Sequence, residues 1–419
     1  MSPSAVRPAR GRLATLGKDA VLLAVGTMGA NVFAYGSLLI LNRALAPATL
    51  GAVAALLNLV VIVAVPALAL QLVTARQMAQ HHADVSIVHR SALATAVRLG
   101  ALSMGGTMLA TPALVPLLHL DGWWPPVLAA IMMGPTCVTF AVQGALQGAG
   151  RFGALTAVYL VSSGLRLGAA AAAAALGHTS ATSVLAFTTL GSVLGMGFSL
   201  LFVRSSLRAS SAAGRASLWL HQVFHGSAAT SALLVVTNVD ILLARAFLTG
   251  AQSGQYAVVS VFAKAAFWGP SFLVTLLYPR MARGRGHRSV TAAVVAATTL
   301  GVLAVGLAWL WQDPLIRIVG GARYGSLASL VPLFAALGSA WSVVQVLVYW
   351  RLARADHRLA YTTWLVALAA VALIAVSLHN SVGQIAGSLL AAGLLVTTYG
   401  TALLIRRQRK RDHEVGATV

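Results

Sequence analysis

Apolar residues run along this chain in blocks rather than in stripes. Between short polar breaks, stretch after stretch is apolar on every side of a helix for about 20 residues or more, the length that crosses a hydrocarbon layer. Twelve such spans are expected, at about 20–41, 51–75, 92–118, 126–148, 154–176, 181–203, 220–243, 257–279, 289–311, 329–350, 359–378 and 383–405. The breaks are short and polar, as in His119-Leu120-Asp121-Gly122 and Gly177-His178-Thr179-Ser180. No stretch outside the spans is long enough to fold as a soluble domain. The pattern predicts an all-α polytopic membrane protein with a cytoplasmic N-terminal tail (1–19), an N-lobe of helices 1–6 (20–204), a cytoplasmic linker (205–219), a C-lobe of helices 7–12 (220–405) and a basic cytoplasmic C-terminal tail (406–419). The first span reads as retained, because its apolar run is too long for a signal peptide and Arg7, Arg10, Arg12 and Lys18 precede it.

Composition agrees. Of 419 residues, 58% are hydrophobic and 9% charged, against about 25% charged in a soluble domain. Disorder is excluded by the same hydrophobicity. The net charge of +21 would suggest nucleic acid in a soluble chain, but the location of the charge removes that reading. With the N-terminus in the cytoplasm, 22 of the 29 Lys and Arg residues fall in cytoplasmic segments. Four fall outside (Arg43, Arg245, Arg317, Arg323) and three within spans (Arg98, Arg166, Lys264). Such a split follows the positive-inside rule and supports an even number of spans in a bacterial cytoplasmic (inner) membrane, with membrane lipids as neighbours and no nucleic-acid partner. Paired Trp123 and Trp124, with Trp309 and Trp311, fit an interfacial aromatic belt.

The chain also repeats itself. Arg43, Gly51, Pro66 and Arg76 are matched by Arg245, Gly254, Pro270 and Arg280 at offsets of 202, 203, 204 and 204 residues. An even number of spans separates the copies, so the expectation is two parallel six-helix repeats around a central cavity, a plan shared by many transporters. Pro66 and Pro270 fall inside the second helix of each half, where proline removes a backbone hydrogen bond; they read as hinges or as static kinks. Gly144/Gly148, Gly164/Gly168 and Gly191/Gly195 are spaced to let helix backbones approach.

Charges within spans are costly, at about 2.5–3.5 kcal/mol on insertion scales, and so carry the candidate chemistry. Arg166 sits near the middle of the fifth span and either lines a cavity or bonds carbonyls. Lys264 and Arg98 each lie about two turns inside a span, where a long stem can also snorkel. Arg43 and Arg245 hold equivalent outer positions, as guards of a cavity mouth or as lipid-phosphate contacts. Asp240 is the one acid expected within a span, as an ion-pair partner of Lys264 or Arg245 or as a coupling group. The interior balance is positive, which favours an anionic cargo. Asn31, Asn58, Gln71, Gln143, Gln147, Asn238 and Gln345 add polar groups for sugar contacts or for bonds between helices. No His is paired with an acid or Cys at metal-ligand spacing, and no nucleophile elbow, P-loop or dinucleotide turn stands in a suitable context, so no metal, cofactor or enzyme activity is expected. The single Cys137 rules out an internal disulfide.

Three stretches resemble the multidrug/oligosaccharidyl-lipid/polysaccharide exporter superfamily in its polysaccharide-transporter (oligosaccharide flippase) branch. They are Asn42-Arg43-Ala44-Leu45-Ala46-Pro47 running to Gly51, Gln143 to Phe152, and Asn238 to Arg245 continuing through Gly254-Gln255-Tyr256-Ala257 to Tyr278-Pro279-Arg280. The resemblance implies a two-lobed bundle that moves a polyprenyl-pyrophosphate-linked glycan between leaflets by alternating access, with a cationic cavity holding the head group. It carries over the Asp240/Arg245 motif and the Arg43 position. Expected partners are the lipid-linked glycan and the glycosyltransferases and polymerase of the same route, with the chain acting as a monomer. The alternatives are a cation-coupled multidrug or organic-cation antiporter, which would want acids in the first six spans where none stands, and a non-transporting scaffold in envelope assembly.

Overall fold

A computed structural model describes residues 9–80, 85–204, 216–269, 287–352 and 356–416. Among these residues there is no strand. The helices run α1 (Ala9–Ala44), α2 (Pro47–Val63), α3 (Val65–Gln80), α4 (Val85–Leu117), α5 (Trp124–Gly148), α6 (Phe152–Ala175) and α7 (Ala181–Leu200). They continue with α8 (Ala216–Phe247), α9 (Gly250–Trp268), α10 (His287–Leu310), the short α11 (Gln312–Gly320), a 3-10 turn (Ala322–Leu330), α12 (Val331–Leu352), α13 (Arg358–Val376) and α14 (Val382–Gly416). Ten stretches among the described residues are long and apolar enough to cross a membrane. This is a multi-pass membrane protein, built on about twelve transmembrane helices as two six-helix repeats. The expected seventh and eighth spans are α8 and α9, which carry the polar residues Thr237, Asn238, Asp240 and Lys264.

Two departures from the expected elements have plain causes. The second span is two helices, α2 and α3, interrupted at Ala64. Pro66 has no N–H to donate, so the turn before it is closed instead by Ala67 and Leu68 donating to the Ala64 carbonyl. The expected outer loop at Gln312–Ala328 is α11 and a 3-10 turn, joined at Gly321 with φ 84°. Ile316, Val319 and Tyr324 anchor that segment by burial. Pro270, Arg280, most of the 205–219 linker and the ends of both tails lie outside the described residues.

The chain forms two compact units. Unit 1 holds Met1–Leu41, Val63–Pro112 and Trp123–Ser227; unit 2 holds Asn42–Ile62, Ala113–Gly122 and Ala228–Val419. Within unit 1, α5 packs on α3, α6 and α7, and α6 packs on α7. Within unit 2, α12 packs on α9, α13 and α14, and α13 packs on α14. The contacts of α5 with α3, α6 and α7 and of α6 with α7 thus recur as those of α12 with α9, α13 and α14 and of α13 with α14, while unit 2 also packs α12 on α10. The fourth span of each half, α5 or α12, is the hub. On each hub a glycine lets a neighbouring backbone reach the helix: a methyl group at Gly144 would run into the Gln71 carbonyl, and one at Gly338 into the Ala263 carbonyl. Close approach of this kind drives helix association in lipid, where burial of apolar side chains gains little over the acyl chains. Gly148, Gly191 and Gly195 are likewise packed against neighbouring helices, whereas Gly168 meets nothing within 4 Å.

Candidate functional site

In unit 2 the polar residues of three helices converge. Lys264 on α9 donates from Nζ to Asn58 Oδ1 on α2 and to Asn238 Oδ1 on α8, the latter at 3.0 Å. Both amides are oriented by their own helices, since Asn58 Nδ2 donates to the Ala54 carbonyl and Asn238 Nδ2 to the Leu234 carbonyl, each at 2.7 Å. Asp240 lies on α8, two residues beyond Asn238, and is 4% exposed. Tyr256 Oη on α9 donates to its Oδ2 at 3.3 Å, while Oδ1 has no hydrogen-bond partner among the described residues. Asp240 and Lys264 line one small cavity of ≈ 20 Å³, walled by Val236, Phe267, Leu337 and Trp341. The two charges do not form a contact ion pair; among the described residues the one pair within 4 Å is Arg351 with Asp356, at 2.8 Å.

The equivalent arginines are placed differently. Arg245, in the last turn of α8, is 5% exposed and is held by four acceptors. Nε donates to the Leu118 carbonyl at 2.7 Å, Nη2 to the His119 carbonyl at 2.7 Å, and Nη1 to the Ala48 carbonyl at 3.0 Å and Ser253 Oγ at 3.1 Å. His119 adopts φ 46°, an unusual backbone for a residue other than glycine. Arg43, in the last turn of α1, is exposed and donates from Nη2 to the Ile318 carbonyl at 2.8 Å. Its neighbour Asn42 donates to the Val319 carbonyl at 3.3 Å, and Arg323 donates to the carbonyls of Asn42 and Leu45. Gly51 and Gly254, equivalent in the repeat, face each other so closely that a methyl group on Gly254 would enter the Pro47 carbonyl. These bonds explain why Asn42–Ile62 and Ala113–Gly122, which belong to the first half of the sequence, cluster with the second half.

In unit 1, Tyr159 and Arg166 share one face of α6, and glutamines of α3 and α5 meet at Tyr159. Tyr159 Oη accepts from Gln71 Nε2 at 3.1 Å, and Gln71 Nε2 also donates to Gln147 Oε1 at 3.2 Å. Gln143, one turn before Gln147, is buried and its Oε1 has no partner. Arg166 is seven residues after Tyr159, so it projects from the same face about 10 Å further along the helix. That face also carries the buried Ala170 and Ala173. Arg166 is nevertheless exposed and has no hydrogen-bond or ion-pair partner among the described residues. Arg98, on α4, is exposed and partnerless in the same sense. Asn31 is exposed on α1, on the side away from the contacts that Gly26, Gly29 and Gly36 make with α6.

The sequence reading brought Asp240, Lys264, Asn58 and Asn238 forward, and the structure places Asp240 and Lys264 on one cavity with Asn58 and Asn238 bonded to the Lys264 ammonium. It gave no role to Tyr256, Tyr159 or Arg323. Tyr256 stands inside the Gly254-Gln255-Tyr256-Ala257 stretch that carried the family resemblance, which was the available signal. Tyr159 and Arg323 had none.

No protein-family model matches the chain, and no curated protein does. Solved structures do. An inward-facing multidrug resistance MATE family transporter of the MOP superfamily matches with TM-score 0.73 at 12% identity, over 93% of this chain and 99% of that one. The lipid II flippase MurJ, in an inward closed conformation, matches with TM-score 0.72 at 10% identity, over 91% of this chain and 86% of that one. The chain has the MATE and MurJ fold. An outward-facing MATE structure of the same superfamily gives TM-score 0.60 at 13% identity, over 94% of this chain and 95% of that one. Within the MATE and MurJ fold, Arg98 and Arg166 of unit 1 have no partner among the described residues, whereas Arg245 and Lys264 of unit 2 are hydrogen-bonded.

Proposed function

We propose that this chain is a transporter of the alternating-access type that carries a polyprenyl-pyrophosphate-linked oligosaccharide or polysaccharide precursor across the bacterial cytoplasmic membrane, with both termini in the cytoplasm. One observation carries the reading. Arg166 stands mid-helix on the packed face of α6, exposed and without a partner among the described residues. A guanidinium in that position is costly, and a pyrophosphate offsets the cost through bidentate, charge-assisted hydrogen bonds. Arg98 adds a second cation without a partner among the described residues in the same unit, and Gln71, Gln143, Gln147 and Tyr159 supply amides and a hydroxyl suited to sugars. The fold likeness to the lipid II flippase MurJ supports the same class of cargo. Pro66, at the break between α2 and α3, is the bend assigned to the transport cycle, and Pro270 is its equivalent in the sequence.

A second reading is favoured by the likeness to MATE multidrug transporters and by the buried carboxylate of Asp240: a cation-coupled antiporter of organic cations. Proteoliposomes separate the two. The first reading predicts leaflet exchange of a fluorescent polyprenyl-pyrophosphate oligosaccharide that is lost in R166A, and no exchange of ethidium for protons or sodium. Ethidium efflux blocked by D240N, without exchange of the lipid-linked glycan, would replace it with the second. A protein that moves neither cargo would leave the scaffold reading.

A further inference from the structure

The surroundings of the Lys264 ammonium, beside the small cavity of unit 2, have the chemistry of a seat for a monovalent cation. Asn58 Oδ1 and Asn238 Oδ1 accept from Nζ, and Asp240, whose Oδ1 has no hydrogen-bond partner among the described residues, lines the adjoining cavity together with Lys264 and Thr237. Both amide groups have their NH2 ends fixed to carbonyls one turn back on their own helices, which turns the two oxygens toward the same point. Tyr256 fixes the other carboxylate oxygen. Outer hydrogen bonds that orient oxygen donors in this way are what a cation site requires, and a donor set of carboxylate and amide oxygen suits hard cations. Val236, Phe267, Leu337 and Trp341 wall the space, so the single carboxylate is far from bulk water and needs a compensating positive charge nearby. The cavity, at ≈ 20 Å³, has room for a small ion or one water.

The chain itself delivers that positive charge. We propose that Lys264 is the tethered cation of this seat, its ammonium taking the place of an ion from solution, so that unit 2 needs no bound alkali cation. Three features support this. The ammonium is coordinated by the two oriented amide oxygens, as a small ion would be. It shares the cavity with Asp240 and compensates its charge without a contact ion pair. Its ammonium can be removed by a substitution that leaves every oxygen in place. The inference is independent of the transported cargo, because it concerns the folded protein alone.

Thermal unfolding of the purified protein tests it, in NaCl, LiCl or KCl against choline chloride at equal ionic strength. Wild type is expected to unfold at the same temperature in all four. In K264M, which keeps the apolar stem and removes the charge, the seat is open, and NaCl or LiCl is expected to raise the unfolding temperature by a few degrees over choline chloride. K264Q, which fills the seat with a neutral amide, is expected to gain less. Adding D240N to K264M is expected to abolish the rise. An alkali-specific rise in wild type overturns the proposal, as does a folded K264M that unfolds at one temperature in every salt. If K264M folds only when sodium or lithium is present the proposal stands; if neither K264M nor K264Q folds in any of the four salts it fails.

Discussion

Arg166 and Arg245 lie in helices of the two halves of one repeated plan, and they are held in opposite ways. In unit 1 the Arg166 guanidinium projects from the packed side of α6, exposed and without a partner among the described residues. In unit 2 the Arg245 guanidinium is buried and bonded to three backbone carbonyls and a serine. Lys264, half-buried, and Arg323, exposed, are likewise hydrogen-bonded, and Arg98 follows the first pattern. The difference separates two reasons for keeping a cation within or beside a membrane span. A guanidinium that satisfies otherwise unpaired carbonyls is structural. One left open is available to a ligand.

The largest consequence lies at Arg245. Replacing it with Ala leaves the carbonyls of Ala48, Leu118 and His119 short of their donor, and should cost about 3–5 kcal/mol, read as a lower unfolding temperature in detergent. R166A should change stability by less than about 0.5 kcal/mol, the usual range for an exposed site. Equal losses in the two variants would erase the distinction between the units.

A smaller effect tests the close contact between the repeats' equivalent glycines. G254A drives a methyl group at the Pro47 carbonyl and should destabilise by about 1–3 kcal/mol. G168A, in mid-helix with nothing within 4 Å, should stabilise by about 0.5–1 kcal/mol through helix propensity. The smallest effect is expected at Arg98. R98A should leave the unfolding temperature within the range of R166A and slow transport less than R166A does, because Arg166 stands alone mid-helix whereas Arg98 can reach toward a membrane surface.

How much of this was legible in the sequence differs by level. The spans follow from apolar blocks of membrane length; α5 to α7 begin and end close to the expected positions, while α4 starts seven residues earlier, at Val85. The break at Ala64 was signalled by Pro66. The polar cluster in unit 2 was partly legible, since Asn58, Asn238, Asp240 and Lys264 are conspicuous in apolar surroundings. The fate of Arg245 was not. Its acceptors are main-chain carbonyls at sequence separations of 126, 127 and 197 residues, and a carbonyl has no residue type to reveal it. For the same reason Arg323 drew no attention, although its acceptors lie 278 and 281 residues away. The sequence shows which charges enter the membrane, but only the packing shows which of them are already satisfied.

The central claim is that Arg166 is kept for an anionic head group. Its most direct test is the leaflet-exchange rate of a polyprenyl-pyrophosphate oligosaccharide in proteoliposomes holding wild type, R166Q or R166K at matched protein density. Loss of one charge-assisted contact should slow R166Q by about tenfold or more, equivalent to about 1.4 kcal/mol, with an unchanged unfolding temperature, and R166K should keep part of the rate. A wild-type rate in R166Q would contradict the claim.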